Sequence, residues 1–150
     1  MMEAAFKGMQ GSMVSTTFIS RTVAEGETIA AGAPVQYADE ERRQAGAADG
    51  TKAFLGIHCP LSIEGDAEFP ESARIMTQGV VFVEVADDVS EGAAVGFSAA
   101  GEWGAADDTT YTFRIVGAQF DDTIAEGGLA PVRMMGTEIE EIEETGEVEG

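Results

Sequence analysis

Three features of the sequence predict an all-β fold. Residues 79–85, Gly-Val-Val-Phe-Val-Glu-Val, form a β-branched and aromatic run with strong strand character. Residues 109–116 alternate strictly, with Tyr111, Phe113 and Ile115 on one side and Thr110, Thr112 and Arg114 on the other, as a half-buried strand requires. A glycine-centred phrase recurs three times, as Ile29-Ala30-Ala31-Gly32-Ala33-Pro34-Val35, as Val89-Ser90-Glu91-Gly92-Ala93-Ala94-Val95, and as a form two residues longer that runs from Ile124 to Val132. Each copy opens on a β-branched residue, passes a Gly that permits positive φ, and ends on a Val that starts a new apolar segment. In the first and third copies a Pro precedes that Val, a position suited to a strand's first residue or an edge. Spacings of 60 and 35 residues between copies exclude a regular solenoid and fit recurring corners of a small barrel or sandwich.

Residues 1–20 hold four of the seven methionines together with Phe6 and Phe18, while Gly8, Gly11 and Ser12 break any helix. This is an extended arm whose unbranched Met side chains can adapt to an irregular surface. Residues 22–37 follow as strand, corner, strand. The polar stretch 40–50 is a loop, with one helical turn allowed at 39–43. The strand over residues 51–57 is ended by His58-Cys59-Pro60. Residues 73–77 and 79–85 form a strand pair or one strand bent at Gln78-Gly79. Residues 95–98, a turn or short hairpin around Trp103, the alternating strand and residues 129–134 complete the body. The tail, residues 137–150, carries seven glutamates; Ile139 and Ile142 permit a weak helix, but like charges oppose it, and a disordered or lightly attached segment is expected.

The 150 residues set the scale of one domain, and 44% hydrophobic content supplies a core. No apolar run approaches the roughly 20 residues of a membrane helix. The first residues lack a basic segment followed by an apolar one, so no secretory signal is expected. A net charge of −20, from 28 acids against 8 bases, repels nucleic acid. A single cysteine, Cys59, leaves no internal disulfide and no thiolate cluster.

No catalytic constellation emerges. His58 and Cys59 are each unique, but adjacent strand residues face opposite ways and cannot act on one atom. The Asp pairs 87–88, 107–108 and 121–122 lack the spacing of a calcium loop and are expected to form turns. Neither phosphate-loop signature is present. No cofactor, metal or catalytic residue is therefore expected, and the chain is not expected to be an enzyme. Two other classes remain open: a free-standing carbohydrate-binding β-module with Trp103 and Tyr111 as a platform, and a hydrolase with dispersed carboxylates.

The succession of residues 29–35, Phe54-Leu55-Gly56-Ile57, Gly79-Val80-Val81-Phe82-Val83 and residues 89–95 resembles the capsid decoration, or cement, proteins of tailed bacteriophages, over about residues 22–132. The resemblance implies a β-barrel or β-tulip-like decoration domain (residues 21–136) behind an N-terminal arm (1–20), with the acidic tail (137–150) outside the shared pattern. It further implies a structural virion protein on the outer capsid surface that stabilises the shell by bridging subunits of the major capsid protein, acts as a homotrimer and has no catalytic residues. The contact residues expected for capsid or neighbouring copies are Phe6, Met9, Met13 and Phe18 in the arm, and Thr110, Thr112 and Arg114 on the polar face of the alternating strand.

Overall fold

The computed structural model describes residues 16–39, 43–60, 66–68 and 70–142. Among them the chain forms β1 (Thr17–Val23), β2 (Thr28–Ile29), β3 (Pro34–Tyr37), β4 (Gln44–Ala47), β5 (Phe54–His58), β6 (Ala67–Glu68), β7 (Ser72–Glu84), β8 (Ala94–Phe97), β9 (Trp103–Ala105), β10 (Phe113–Phe120), β11 (Leu129–Met134) and β12 (Ile139–Glu141), with no helix.

The 13-residue β7 is the shared wall of two halves. Its first half pairs with β5 and β1, and its second half pairs with β11 from Gly79↔Met134 to Glu84↔Leu129. The change of partner falls at Gly79, where φ is +133°. One bent strand, rather than a pair, is therefore what residues 73–85 form. On the first side β1, β4, β3, β5 and β7 close a five-stranded barrel, with β1–β4 its parallel pairing. On the second side β7, β11, β10, β8 and β9 lie side by side as an antiparallel sheet whose order departs from the chain order at β7–β11 and at β10–β8. A parallel bridge Val85↔Trp103, with Ala86 N–H donating to the Trp103 carbonyl at 2.9 Å, brings β9 back to the end of β7.

Each half has its own core. Val23, Ile29, Val35, Leu55, Ala73 and Ile75 fill the barrel. Val81, Val83, Val95, Phe97, Ile115, Phe120, Val132 and Met134 fill the second half. All five residues of β5 are buried, and its alternation sends Leu55 into the barrel and Phe54 into the other core. There the Phe54 ring stacks on Phe97 at 5.5 Å, and Phe97 also meets Trp103 at 5.7 Å and Phe113 at 5.5 Å. Such offset and edge contacts add to the area these rings bury.

The recurring corner is a type II turn. Ala33 N–H donates to Ala30 O, Ala93 to Ser90 and Gly128 to Ala125, at 2.9–3.1 Å, with Gly32, Gly92 and Gly127 at φ +76°, +88° and +86°. The third turn position requires positive φ, which fixes Gly there. The structure corrects the length of the third copy. Three residues after each turn glycine stand Val35, Val95 and Ala130, all fully buried, so the third corner is seven residues long like the others and ends on Ala130. A fourth corner, unseen in the sequence, precedes the first: Glu27 N–H donates to Ala24 O at 3.0 Å around Gly26 at φ +85°, and Val23 and Ile29 are its buried ends.

The second and third corners pair with each other. Val89 and Ile124 exchange both backbone hydrogen bonds, at 2.9 and 3.0 Å. Glu91 N–H donates to Thr123 Oγ1 and Glu126 N–H to Asp88 Oδ1, so the two corners clasp reciprocally. The first corner finds a stand-in: Ile29 pairs with Ala67, and Ala31 N–H donates to Asp66 Oδ1 at 3.1 Å.

Three further expectations are revised. The alternating strand begins at Phe113, because the Asp107 carboxylate accepts the N–H groups of Thr109, Thr110 and Tyr111 and rolls those residues into a turn. Pro34 does open β3, but Pro131 lies inside β11, between two partners. Its carbonyl accepts Asp121 N–H just beyond the end of β10, so the donor it lacks falls where that ladder stops. Ile139–Glu141, in a tail expected to be disordered or lightly attached, form a strand against β10. Residues 143–150 and 40–42 lie outside the described residues.

Candidate functional site

The residues that composition marked as possible chemistry have structural employment. His58 is buried at the end of β5 with Nδ1 3.1 Å from the Ala30 carbonyl. Burial holds its pKa below the ordinary value, although the Ala30 carbonyl and the Asp66 charge pull the other way. Cys59 is buried and its thiol is pushed up by burial, against the opposing pull of Arg74. A thiol in that state is a poor nucleophile.

Asp87 accepts the Tyr111 hydroxyl at 2.5 Å, Asp88 caps the third corner, and Asp121 pairs with Arg133 at 2.9 Å. Asp107 is held below the usual carboxylate range; burial pushes upward, but three backbone N–H donors outweigh it. Asp107 and Asp122 thus accept backbone N–H groups of their own turns and Asp88 one of the third corner, whereas Asp87 and Asp121 hold side chains. Among the described residues no three His, Cys, Asp or Glu side chains converge on a metal-sized site.

Trp103 and Tyr111 do not form a platform. Trp103 is 3% exposed and Tyr111 4% exposed. The indole Nε1–H donates to Gly32 O at 2.8 Å, and the Tyr111 ring lies where a Cβ on Gly104 would stand. Stacking of a sugar needs an open aromatic face, and neither ring has one.

Of the expected contact residues, Phe6, Met9 and Met13 lie outside the described residues. Phe18 stands on β1, half-buried against the second core, with the Arg74 guanidinium 3.7 Å from its ring centroid. Arg74 also donates to the Cys59 carbonyl at 2.8 Å, so Phe18 is held in the body at the junction of the halves. Thr110 is exposed in the turn held by Asp107. Thr112 and Arg114 share the outer face before and within β10; the Thr112 carbonyl accepts Ile142 N–H, and Arg114 forms an ion pair with Glu140 of β12. Phe18 and this face belong to strands that do not pair, β1 and β10.

Two surface depressions mark the seam between the halves. One, of about 240 Å³, lies between the first corner and β9, with Glu84 and Glu102 at its edge. The other is a groove of about 470 Å³ whose walls include Ile19, Tyr37, Phe54, Leu55, Thr77 and Ile139. Sequence reasoning did not find this groove. Its residues come from β1, β3, β5, β7 and β12 and from Ala53, Thr137 and Glu138 beside those strands, and only the alternation of each strand hinted which side chains face outward.

Comparison with known proteins bears on the whole body. No curated protein matches the sequence significantly. The fold is similar to a chain in the structure of the capsid of Myoviridae phage XM1, with TM-score 0.68 and 14% identity over 92% of this chain and 96% of that one. It is also similar to the head fiber gp8.5 N base of bacteriophage phi29, with TM-score 0.51 and 13% identity over 83% of this chain and 99% of that one. Residues 1–135 match the phage structural cement protein family typified by E217 gp24 and Pam3 gp6. An all-β body of two fused cores, with its rare side chains committed to structure and a family match over nine-tenths of its length, is thus a member of the structural cement protein family, a capsid-associated structural component of a phage virion.

Proposed function

We propose that the protein binds the outer surface of an icosahedral capsid and stabilises it by bridging subunits of the major capsid protein, as a homotrimer. Membership of the cement family over residues 1–135 is the observation that carries this reading. The chemistry of the body agrees with it. Its unique His, Cys and Trp are buried, and Asp66, Asp87, Asp88, Asp107 and Asp121 are engaged in internal hydrogen bonds or an ion pair. What remains available is contact surface. A cement protein works by repetition: modest contacts made at several neighbouring subunits act together, and avidity raises a weak single-site affinity by large factors.

In this reading residues 1–15, with Phe6, Met9 and Met13, are the adaptable element that lies on the shell or on a neighbouring copy. Phe18, Thr110, Thr112 and Arg114 supply contacts from the body. The test is deletion of residues 2–15, which stops short of β1 and leaves its pairing with β4 and β7 intact. The deleted protein should retain its melting transition and fail to bind the phage's expanded empty shells, read by sedimentation. A deleted protein that still saturates the shells overturns the role of the arm. Light scattering of the full chain, alone and on shells, tests the trimer.

A further inference from the structure

We propose that β12 is a releasable strap: it covers one edge of β10, occupies Arg114, and opens as a unit while the body stays folded, so that this face meets the shell only when the strap is off. This rests on the reading that Thr112 and Arg114 contact the shell, and it names what holds them back in the free protein.

The strap continues β11 after a bulge. β11 pairs with β10 at Gln119↔Arg133, and β12 pairs with the same strand at Ile115↔Ile139. Four steps along β10 are thus matched by six along β11 and β12. The excess is taken up opposite Gly117, at φ +83°, by exposed Met135 and by Gly136, which has open space around its Cα. β11 is also bonded to β7 as far as Met134↔Gly79, whereas among the described residues β12 pairs with β10 alone. The residues that match the family, 1–135, stop before it.

Its attachment is slight. The paired residues are three, and the ladder is extended by Val116 N–H donating to Glu138 O at 2.8 Å and Ile142 N–H donating to Thr112 O at 2.7 Å. Ile139 packs on the second core and is itself only partly buried. Solvent reaches both partners of the Arg114–Glu140 ion pair, which makes it a weak one. Glu138, Glu140 and Glu141 repel one another in a chain already at −20. A short strand with few apolar contacts opens at far less cost than the whole domain.

What the strap covers is the face with a use elsewhere. Glu140 holds the Arg114 guanidinium, and residues 138 and 142 take up the Val116 N–H and the Thr112 carbonyl. Opening therefore frees a planar five-donor group and the ladder groups of a strand edge together, both of which serve recognition by another chain.

The test is a reversible lock in the full-length chain, Val116→Cys with Glu138→Cys. The two positions face each other across the β10–β12 ladder, and neither belongs to the expected contacts. Buried Cys59 does not compete. The oxidised lock should bind expanded shells at least about tenfold more weakly than the same protein after reduction, because the competent state is withheld. Glu140→Gln, which loosens the strap, should bind about threefold more tightly, the equivalent of one exposed ion pair. In the parent, the Val116 and Ile142 amides should exchange with solvent together, at least about a hundredfold faster than the slowest amides of β7. Equal shell binding by the oxidised and reduced lock overturns the proposal and leaves the capsid reading standing. Exchange of Val116 and Ile142 no faster than β7 overturns it as well. Shells that bind neither the reduced lock nor the parent overturn the capsid reading, and the strap's role with it.

Discussion

The indole Nε1–H of Trp103 donates to the carbonyl of Gly32 at 2.8 Å, across 71 residues of sequence. Gly32 is the turn glycine of the first corner, and its own N–H donates to His58 O at 2.9 Å. One side chain of the second half thereby holds a barrel corner by its backbone. Replacing Trp103 with Phe keeps a ring near Phe97 but leaves the buried Gly32 carbonyl without that donor and opens space beside it. An unmatched buried acceptor costs about 1–3 kcal/mol, so the urea midpoint should fall by that equivalent with an unchanged slope. An unaltered midpoint would show that water replaces the indole.

Two glycines separate backbone conformation from close approach. At Gly56, φ is +148° and a Cβ would stand 2.3 Å from the Met76 carbonyl oxygen, part of the β5–β7 ladder that cannot yield without parting the strands. Gly56→Ala should cost about 3 kcal/mol or more. At Gly92 the φ is +88° but nothing lies within 4 Å of the added methyl. Gly92→Ala should cost about 1 kcal/mol, the conformational penalty alone. Thermal melts of both variants test the order; equal losses would contradict the steric account.

Stability should fall at both ends of the pH scale through identifiable groups. His58 is depressed below its ordinary 6.5 by burial, so its contribution is present above that pH and is lost as pH drops toward the folded value. Being the sole histidine, it gives a clean NMR titration: the ring should stay neutral well below pH 6.5, and His58→Gln should flatten the stability profile there. Tyr111 is raised above 10.0, by burial first and then by Asp87, so its contribution is present below pH 10 and is lost as pH rises further. Tyr111→Phe should remove that alkaline slope. A variant profile parallel to the parent's at either end would assign the slope to other groups.

Charge sets a condition on assembly. In the proposed trimer, three copies at −20 each would bring −60 to one axis, and the contacts between copies would have to be apolar or screened. Trimer formation and shell binding should strengthen as salt or divalent cations are added, followed by light scattering and sedimentation. Binding that weakens steadily with salt would mean that ion pairs to the shell dominate.

Much of the body was legible in residues 79–85, in Phe113 and Ile115, and in the corner glycines, because turn geometry and strand alternation are decided within three or four residues. The fourth corner, Val23 to Ile29, escaped notice because two glutamates flank its glycine and no Val closes it; the buried Ile29 both ends it and begins the next. Ala130 was overlooked for the same cause: Val132 is the larger residue, yet Ala130 sits at the equivalent buried place. Alternation put Arg114 on the outer face of β10 with Thr112 just before it, while Thr110, assigned to the same face, lies in the Asp107 turn. It did not reveal that Arg114 is already paired with Glu140, since that partner comes from a strand expected to be detached.

The sequence alone determined that this chain would be all-β and cornered by glycine, because those properties follow from local torsions and from which side chains exist. Tertiary structure decided the rest: that one bent strand would wall two cores, that Phe54 would leave the barrel for Phe97, that Asp66-Ala67 would clasp the first corner, and that a groove of mixed polarity would open along the seam. Such choices depend on which strands close against which, and closure is set by packing among residues far apart in the chain, where no short-range pattern reaches.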